Sequence, residues 1–390
     1  MNSLKEYLKD TFLNRLYKEI RRAGSIKSIS LDLTHECNIR CTGCYYFSEG
    51  MDTTKSPTDD RELDAFIKRE LERGTNFVTV VGGEPSLRLD RLKKIYDNFK
   101  LNVSTNGIIP IPKKGFEHLP IGVSIWGNHE TDAMLRTNGK RDIFSIALNN
   151  YKDDPRAFWY YTVSAGNAHE INAVVDQCVA NGNRVLFNFY SDLTNMGGSM
   201  DHRKGFDKVR IEIDKVIARY PNFIFLSSYL SKVISKGKLY GQEWGYDVCT
   251  TISTNHPVNA ERLKNGNPYS QHFRAYNADL KTTRRCCTGI DRSCDSCLDV
   301  WQHFSWVMVN MKKHLGSKQE FTHWLTSMYL FYLINRLVDY ESGVENLPGI
   351  HKRTNGVMDF WNNGLLNERD SSFLHQSKNP CLSGRQATFQ

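Results

Sequence analysis

The sequence predicts an α/β fold in which parallel strands alternate with helices, followed by a cysteine-rich and helical extension. Three observations predict it. Short apolar segments with strand-like alternation recur between amphipathic segments up to about residue 192. Turn residues such as glycine and asparagine follow several of these strands. Beyond residue 204 the alternation loosens. Repeated strand–helix units favour a parallel sheet with right-handed crossovers.

The chain begins with a predicted amphipathic helix, which we place within residues 1–26. Leu4, Leu8, Phe12 and Leu16 recur at helical spacing opposite a basic face. A helix of this kind can lie on a membrane surface, but it more often packs against its own domain. We therefore expect it to pack on the core.

The core is predicted to span residues 27–230 and to contain six strands with connecting helices. Strands are expected at residues 27–34, 76–81, 101–107, 121–127, 157–166 and 184–192. Helices are expected at 56–74, 87–98, 141–151, 168–182 and 204–219, and a further short strand at 222–228. In parallel sheets the chemistry lies at the carboxyl ends of strands, where the predicted loops carry "CNIRCTGC", "GGEP" and "STNG".

Three segments are predicted after the core. Residues 243–300 are rich in cysteine, residues 301–365 are helical, and residues 366–390 form a polar tail that we expect to be disordered. The apolar stretch at 322–338 is too short to span a membrane and contains polar residues. It predicts a buried or dimer-forming helix.

Composition restricts the class of protein. The formal net charge is +8, but the basic residues are spread out and do not resemble a nucleic-acid-binding arm, so no nucleic acid partner is expected. This distribution is compatible with a small-molecule substrate. The excess of positive charge allows that substrate to be anionic. The start of the chain has no apolar signal core, and ten cysteines grouped by position favour metal or redox chemistry over disulfides. We expect a cytoplasmic protein.

The first cysteine group, Cys37, Cys41 and Cys44, follows the first predicted strand. A structural zinc site takes four protein ligands, and an iron–sulfur cube usually takes four cysteines. Three thiols would leave one iron with an open position where a substrate can coordinate. A zinc site completed from elsewhere, or three incidental thiols, is the alternative.

With "CNIRCTGC" after one strand, "GGEP" after the next, and "STNG" and "VSIWG" at later strand ends, residues 27–192 resemble the radical SAM superfamily. The resemblance implies a partial (β/α)6 barrel holding a [4Fe–4S] cluster on the three cysteines. It also implies that S-adenosylmethionine (SAM) binds the fourth iron and is cleaved to a 5′-deoxyadenosyl radical. An electron donor such as flavodoxin or ferredoxin would be required.

The resemblance further implies contacts to SAM. The candidates are Gly83, Glu84, Ser104, Asn106, Ser124, Arg136 and Asn188. The backbone at Gly83 and Glu84 would hold the methionyl amino group, and Arg136 would pair with its carboxylate. The serines and Asn106 would contact the ribose or methionyl part, and Asn188 the adenine. As alternatives, Ser104 and Asn106 form a turn and Arg136 a surface salt bridge.

The sequence departs from the superfamily's common pattern at two places. Gly43 stands where an aromatic residue is frequent, with Tyr45 and Tyr46 just after. Trp126 follows Ser124 and Ile125 where the superfamily often has an acidic residue before the glycine.

The second cysteine group comprises Cys249, Cys286, Cys287, Cys294 and Cys297. Its spacing suits zinc or an iron–sulfur cube, and the resemblance implies an auxiliary [4Fe–4S] cluster of the SPASM or Twitch type. Neighbouring Cys286 and Cys287 point in different directions, so one of the five can remain free. We consider Cys249 as a hydrogen-atom donor, although a ligand role is the simpler interpretation.

Other residues near this group are assigned as follows. Cys178 lies on an apolar helix face and is predicted to belong to the core, and Cys381 lies in the polar tail. The nearby arginines would bind an anionic substrate or offset the charge of the thiolates; they are Arg274, Arg284, Arg285 and Arg292.

The expected function is that of a radical SAM enzyme which abstracts hydrogen from a small molecule, such as a sugar or natural-product precursor. The outcome would be dehydrogenation or epimerisation. The first alternative is a radical SAM maturase that modifies a ribosomal peptide. The alternative from another class is a non-enzymatic zinc or iron–sulfur scaffold, which would not cleave SAM.

Overall fold

The computed structural model describes residues 2–191, 205–236, 251–257, 272–288 and 297–354. The α/β class is confirmed: within these residues, eight strands form one mostly parallel sheet, and a helical part follows. Several predicted features lie outside the described residues, namely Cys249, Cys294, Cys381, Arg292 and the tail at 366–390.

The sheet is built in chain order. Its strands are β1 (Ser28–Asp32), β2 (Phe77–Val81), β3 (Lys100–Thr105), β4 (Ile121–Ile125), β5 (Ala157–Val163), β6 (Arg184–Phe189), β7 (Ala275–Tyr276) and β8 (Thr283–Arg284). Strands β6 to β1 are adjacent and parallel, as expected for successive β–α units. β7 pairs parallel to β1, and β8 closes an antiparallel hairpin with β7.

Helices connect the strands and cover the sheet. They are α1 (Asn2–Tyr7), α2 (Thr11–Ala23), α3 (Tyr45–Ser48), α4 (Asp60–Glu72), α5 (Leu89–Asn98), α6 (His129–Thr137), α7 (Ile143–Asn150), α8 (Ile171–Ala180), α9 (Phe206–Arg219), α10 (Ser228–Lys236), α11 (Val300–Val309), α12 (Lys318–Ile334), α13 (Tyr340–Val344) and α14 (Leu347–Thr354).

The two faces of the strands differ in polarity, and this positions the site. In β1, Ile29 and Leu31 are fully buried in the hydrophobic core, whereas Ser28 and Ser30 face the opposite side and line a cavity. Successive strand residues point to opposite faces, so the helices cover an apolar outer face while the inner face carries polar side chains. Cys178 is fully buried on α8, in agreement with its assignment to the core.

The predicted N-terminal helix is two helices. The first ends at Tyr7, and Asp10 caps the second, because its side chain accepts hydrogen bonds from the backbone amides of Phe12 and Leu13 at 3.0 and 3.2 Å. The buried face of α2, which includes Leu13 and Leu16, joins the main core. The Tyr329 hydroxyl of α12 donates to Glu19 of α2 at 2.6 Å, so this helix packs against the C-terminal helices.

Two other predictions about elements have clear outcomes. The strand expected at 222–228 is reduced to an isolated bridge between Ile224 and Val185, because helix α10 begins at Ser228. Most of the apolar stretch at 322–338 lies in α12, which ends at Ile334 and is buried on most of its circumference. Among the described residues, every helix falls short of the length and apolar character needed to cross a membrane.

One buried histidine predicts a pH dependence of stability. His351 of α14 is 3% exposed, its Nε2 donates to the carbonyl of Ile224 at 3.0 Å, and burial lowers its pKa from 6.5 to about 4. The folded state binds this proton less well than the unfolded state. Its contribution is therefore complete above about pH 6.5 and is lost as the pH falls towards 4.

Between pH 7 and pH 4 we expect the wild type to lose about 3 kcal/mol more unfolding free energy than His351→Gln. Urea unfolding at several pH values measures this difference. His118→Gln, at an exposed position, is the matched control and should follow the wild type. Parallel curves for the wild type and His351→Gln would contradict the assignment.

Candidate functional site

The predicted cofactor-binding residues of the first region line one cavity of about 290 Å³. They are Cys37, Cys41, Cys44, Gly83, Glu84, Ser104, Asn106, Ser124, Arg136 and Asn188. They converge because consecutive parallel strands end at the same edge of the sheet, so the loops that follow them are neighbours.

The cysteine loop is short and is held by backbone contacts. Cys44 precedes α3, and its backbone amide donates to the carbonyl of Cys41 at 3.3 Å. The amide of Thr42 donates to the carbonyl of Leu135 at 2.7 Å, which ties the loop to α6. Gly43 has φ +70°, and an added Cβ there would clash with the hydroxyl of Tyr190. The ring of Tyr190 thus covers the loop where the superfamily often has an aromatic residue.

The "GGEP" turn packs directly on the cysteine loop. The amide of Gly83 donates to the carbonyl of Thr34 at 2.9 Å, and the amide of Glu84 donates to the carbonyl of Glu36 at 2.7 Å. An added Cβ at Gly83 would overlap the carbonyl oxygen of Glu36. Only glycine permits this close approach of two backbones.

The side chain of Glu84 joins two strand ends. Its Oε1 accepts from the amide of Ser86 at 2.9 Å and the hydroxyl of Thr105 at 2.6 Å, and its Oε2 accepts from the amide of Asn106 at 2.7 Å. The Asn106 amide group donates to Asn38 at 2.7 Å, while its oxygen accepts from the backbone of Ile108. Asn106 therefore makes a turn and also contacts the cysteine loop.

Arg136 is buried at the cavity wall rather than exposed at the surface. It is 1% exposed, and its Nη1 donates to Asp132 at 3.1 Å and to the carbonyl of Ser124 at 2.6 Å. It also lies within hydrogen-bonding contact of Cys41. This ion pair is therefore buried and is not the surface salt bridge considered from the sequence. Its cation lies close to one of the three thiols.

The three thiols are partly shielded from water and close enough to interact. Burial raises the pKa of all three, that of Cys37 to about 12, and the charges of Cys41 and Cys44 raise it further. Binding a metal would therefore displace protons from them. In the described part of the chain, no three Cys, His, Asp or Glu side chains are arranged to hold one metal ion. Three cysteines in one loop are the kind of donor set that an iron–sulfur cluster takes.

The second cysteine segment reaches the same cavity through Cys287. Its thiol lines the cavity and accepts a hydrogen bond from Gln302 at 2.6 Å. Cys286 instead contacts the hydroxyl of Thr288 at 3.1 Å, and Cys297 is buried. The two neighbouring cysteines thus have different surroundings, in agreement with the sequence argument.

Arg284 connects this segment to the first strand. Its guanidinium donates to both carboxylate oxygens of Asp32, at 2.6 and 2.8 Å, and to the carbonyl of Cys287 at 3.4 Å. Asp32 is fully buried at the end of β1. Arg284, Arg274 and Arg285 are not among the described residues that line the cavity.

Sequence reasoning missed several polar residues of the cavity, among them Tyr45, Tyr160 and Asp299. Asp299 caps α11 by accepting from the amides of Trp301 and Gln302, and it also accepts from the hydroxyl of Tyr160. Shielding from water raises the pKa of Asp299 to about 6, although these hydrogen bonds act to lower that pKa. The sequence signal for Asp299 was its position before a helix, but that position indicates a helix cap and not a residue of the site.

Comparisons with known proteins support the same region. Residues 29–119 match the family model of a 4Fe-4S single cluster domain. The chain is 34% identical over 97 residues to a probable GTP 3',8-cyclase of Methanococcus maripaludis strain C6, which covers 23% of this chain and 32% of that protein. The chain thus spans about a third of the length of the curated relatives it matches.

Solved structures are similar at low identity. Histidine-tagged anSMEcpe with bound AdoMet is 18% identical, with a TM-score of 0.47, over 76% of this chain and 83% of that one. Streptococcus suis SuiB bound to S-adenosylmethionine is 14% identical, with a TM-score of 0.37, over 53% of this chain and 48% of that one.

Proposed function

We propose that the chain is a radical SAM enzyme, which cleaves SAM reductively in the described cavity and abstracts hydrogen from a small molecule bound beside it. The observation that carries the proposal is the convergence of three half-buried thiols, the "GGEP" turn and the polar strand ends on one cavity. The proposed substrates are sugars or natural-product precursors.

The residues of the chain have distinct proposed roles. Cys37, Cys41 and Cys44 would hold a [4Fe–4S] cluster, which when bound supplies the electron that cleaves SAM to a 5′-deoxyadenosyl radical. Gly83 and Glu84 present backbone groups to the methionyl part, and the buried Arg136 offsets the negative charge of the thiolates. The polar groups at Ser104, Asn106, Ser124 and Asn188 would contact the remainder of SAM.

Two outcomes for the substrate are compatible with this site. Dehydrogenation needs an electron acceptor, and a second cluster on the cysteines of 243–300 is the proposed one. Epimerisation needs a hydrogen atom returned to the substrate, and a thiol is a suitable donor. The position of Cys287 in the cavity supports Cys287 as that donor if it is not a ligand, whereas Cys249, the donor considered from the sequence, lies outside the described residues.

The test is chemical analysis of wild-type protein that is purified and reconstituted without oxygen. We expect at least about four irons per chain and formation of 5′-deoxyadenosine from SAM with dithionite. About eight irons would support a second cluster, and about four with stoichiometric zinc would make the second site structural. Absence of both iron and SAM cleavage would contradict the proposal.

The same assay in D₂O, without substrate, examines Cys287. The 5′-deoxyadenosyl radical then takes hydrogen from a donor within the cavity, and a thiol in D₂O carries an exchangeable deuterium. The released 5′-deoxyadenosine should therefore contain deuterium. Cys287→Ala should remove that label if this thiol is the donor. A label that persists unchanged would exclude it.

A further inference from the structure

An uncharged polar row crosses the inner face of three adjacent strands. In the sheet register, Ser30 of β1 is opposite Thr79 of β2, and Thr79 is opposite Asn102 of β3. All three line the cavity described above. Because side chains at matched positions of neighbouring strands point to the same face, their hydroxyl and amide groups form one continuous strip.

The hydroxyl of Ser30 has no assigned partner within the described part of the chain. Ser30 is 1% exposed, and its Oγ makes no hydrogen bond with any described residue. Leaving a buried hydroxyl unsatisfied costs free energy, whereas alanine would fit the same backbone without that cost. Such a group requires an explanation, and its position on the cavity wall indicates a bound polar partner.

The surroundings of the row favour an uncharged partner. Phe77, Phe273 and Phe331 line the cavity beside it. The charged side chains of the described lining are already engaged by the protein: Glu84 by three donors, Arg136 by Asp132, and Asp299 by the α11 amides and Tyr160. An anion placed at the row would lose its hydration without gaining a cation from these residues.

We infer that Ser30, Thr79 and Asn102 form a subsite for an uncharged hydroxyl or carboxamide group of the substrate. The Asn102 amide donates to Asn335 at 2.6 Å, which fixes the orientation of its side chain. Ser30 and Thr79 can both donate and accept, as such a group requires. The inference deepens the proposed function. It rests on that function only in identifying the bound molecule as the substrate from which the radical takes hydrogen.

The experiment uses glycolamide, which carries a hydroxyl and a carboxamide, and glycolate, its anionic counterpart of nearly equal size. Binding to the SAM-loaded holoenzyme is measured by calorimetry under conditions suited to weakly binding ligands. We expect glycolamide to bind at least about tenfold more tightly than glycolate, and Ser30→Ala to weaken glycolamide binding about fivefold, the value of one hydrogen bond. Ethylene glycol, which lacks the amide, distinguishes a hydroxyl contact from an amide contact.

The matched control is Ser231→Ala. Ser231 is also fully buried, and its hydroxyl has no partner among the residues that the structure describes, but it lies on α10 and is not among the described residues of the cavity wall. Both variants should leave the melting temperature unchanged or raise it, and only Ser30→Ala should weaken glycolamide binding. The inference is wrong if glycolamide fails to bind at 100 mM, which is roughly the weakest affinity a fragment assay resolves. It is also wrong if glycolate binds as tightly as glycolamide, or if the two variants bind glycolamide alike.

The two proposals can fail separately. Cleavage of SAM without selective glycolamide binding would remove the subsite and leave the proposed reaction intact. Selective binding by a protein that does not cleave SAM would retain the subsite and remove the reaction.

Discussion

Replacing Cys37, Cys41 and Cys44 together with alanine is expected to remove about four irons per chain and to reduce SAM cleavage to the level seen without protein. The three thiols line one cavity and interact with one another, and no other cysteine lies in the first loop. Without them, the remaining backbone and polar groups cannot hold a cluster. Iron and sulfide analysis with quantification of 5′-deoxyadenosine measures the effect.

Cys178→Ala is the matched control for this triple variant. Cys178 is fully buried on α8, and burial raises its pKa well above the usual value, as expected for a thiol that packs in the core. The control should retain the iron content and SAM cleavage of the wild type. Retention of all iron by the triple variant would show that the first loop holds no cluster.

The second large effect is expected from Gly83→Ala. The added methyl group would overlap the carbonyl of Glu36, a backbone group that cannot rotate away, so the "GGEP" turn and the cysteine loop must separate. Two backbone hydrogen bonds join them, from Gly83 to Thr34 and from Glu84 to Glu36. Overpacking of this kind typically costs about 1–3 kcal/mol, and here it falls directly on the site. We expect loss of most SAM cleavage and reduced retention of iron.

Gly316→Ala is the control for the glycine variant, because an added Cβ there meets no atom within 4 Å and the backbone has no positive φ. Its iron content, SAM cleavage and melting temperature should match those of the wild type. If Gly83→Ala also matches the wild type, the close packing of the turn on the cysteine loop is not required for the site.

Local sequence signals predicted the fold and the first half of the site. The alternation of Ile29 and Leu31 with polar residues indicated β1, and the residues after each strand end met as expected for a parallel sheet. The spacing of the three cysteines was sufficient to select them, because all three lie within one loop.

Contacts between distant segments could not be predicted in the same way. Tyr160 meets Asp299 only because α11 begins beside the end of β6, where Asn188 accepts from the amide of Val300 at 3.1 Å. The choice of Cys287 over Cys286 for the cavity depends on the path of the chain after β8. Neither of these contacts between distant segments is marked by a hydrophobic period or a motif in the sequence.

The pairing of β7 with β1 has a consequence for the modular construction of the chain. β7 completes the hydrogen-bonding edge of β1, the amide of Ser30 donates to the carbonyl of Arg274 at 2.9 Å, and Arg284 neutralises Asp32. A fragment ending near residue 230 would expose an unpaired strand edge, which invites association with other chains. It would also leave the Asp32 carboxylate buried without its cation. The strand–helix region therefore cannot be transplanted as an independent unit, and shuffling of its C-terminal extension would have to conserve the segment that seals this edge.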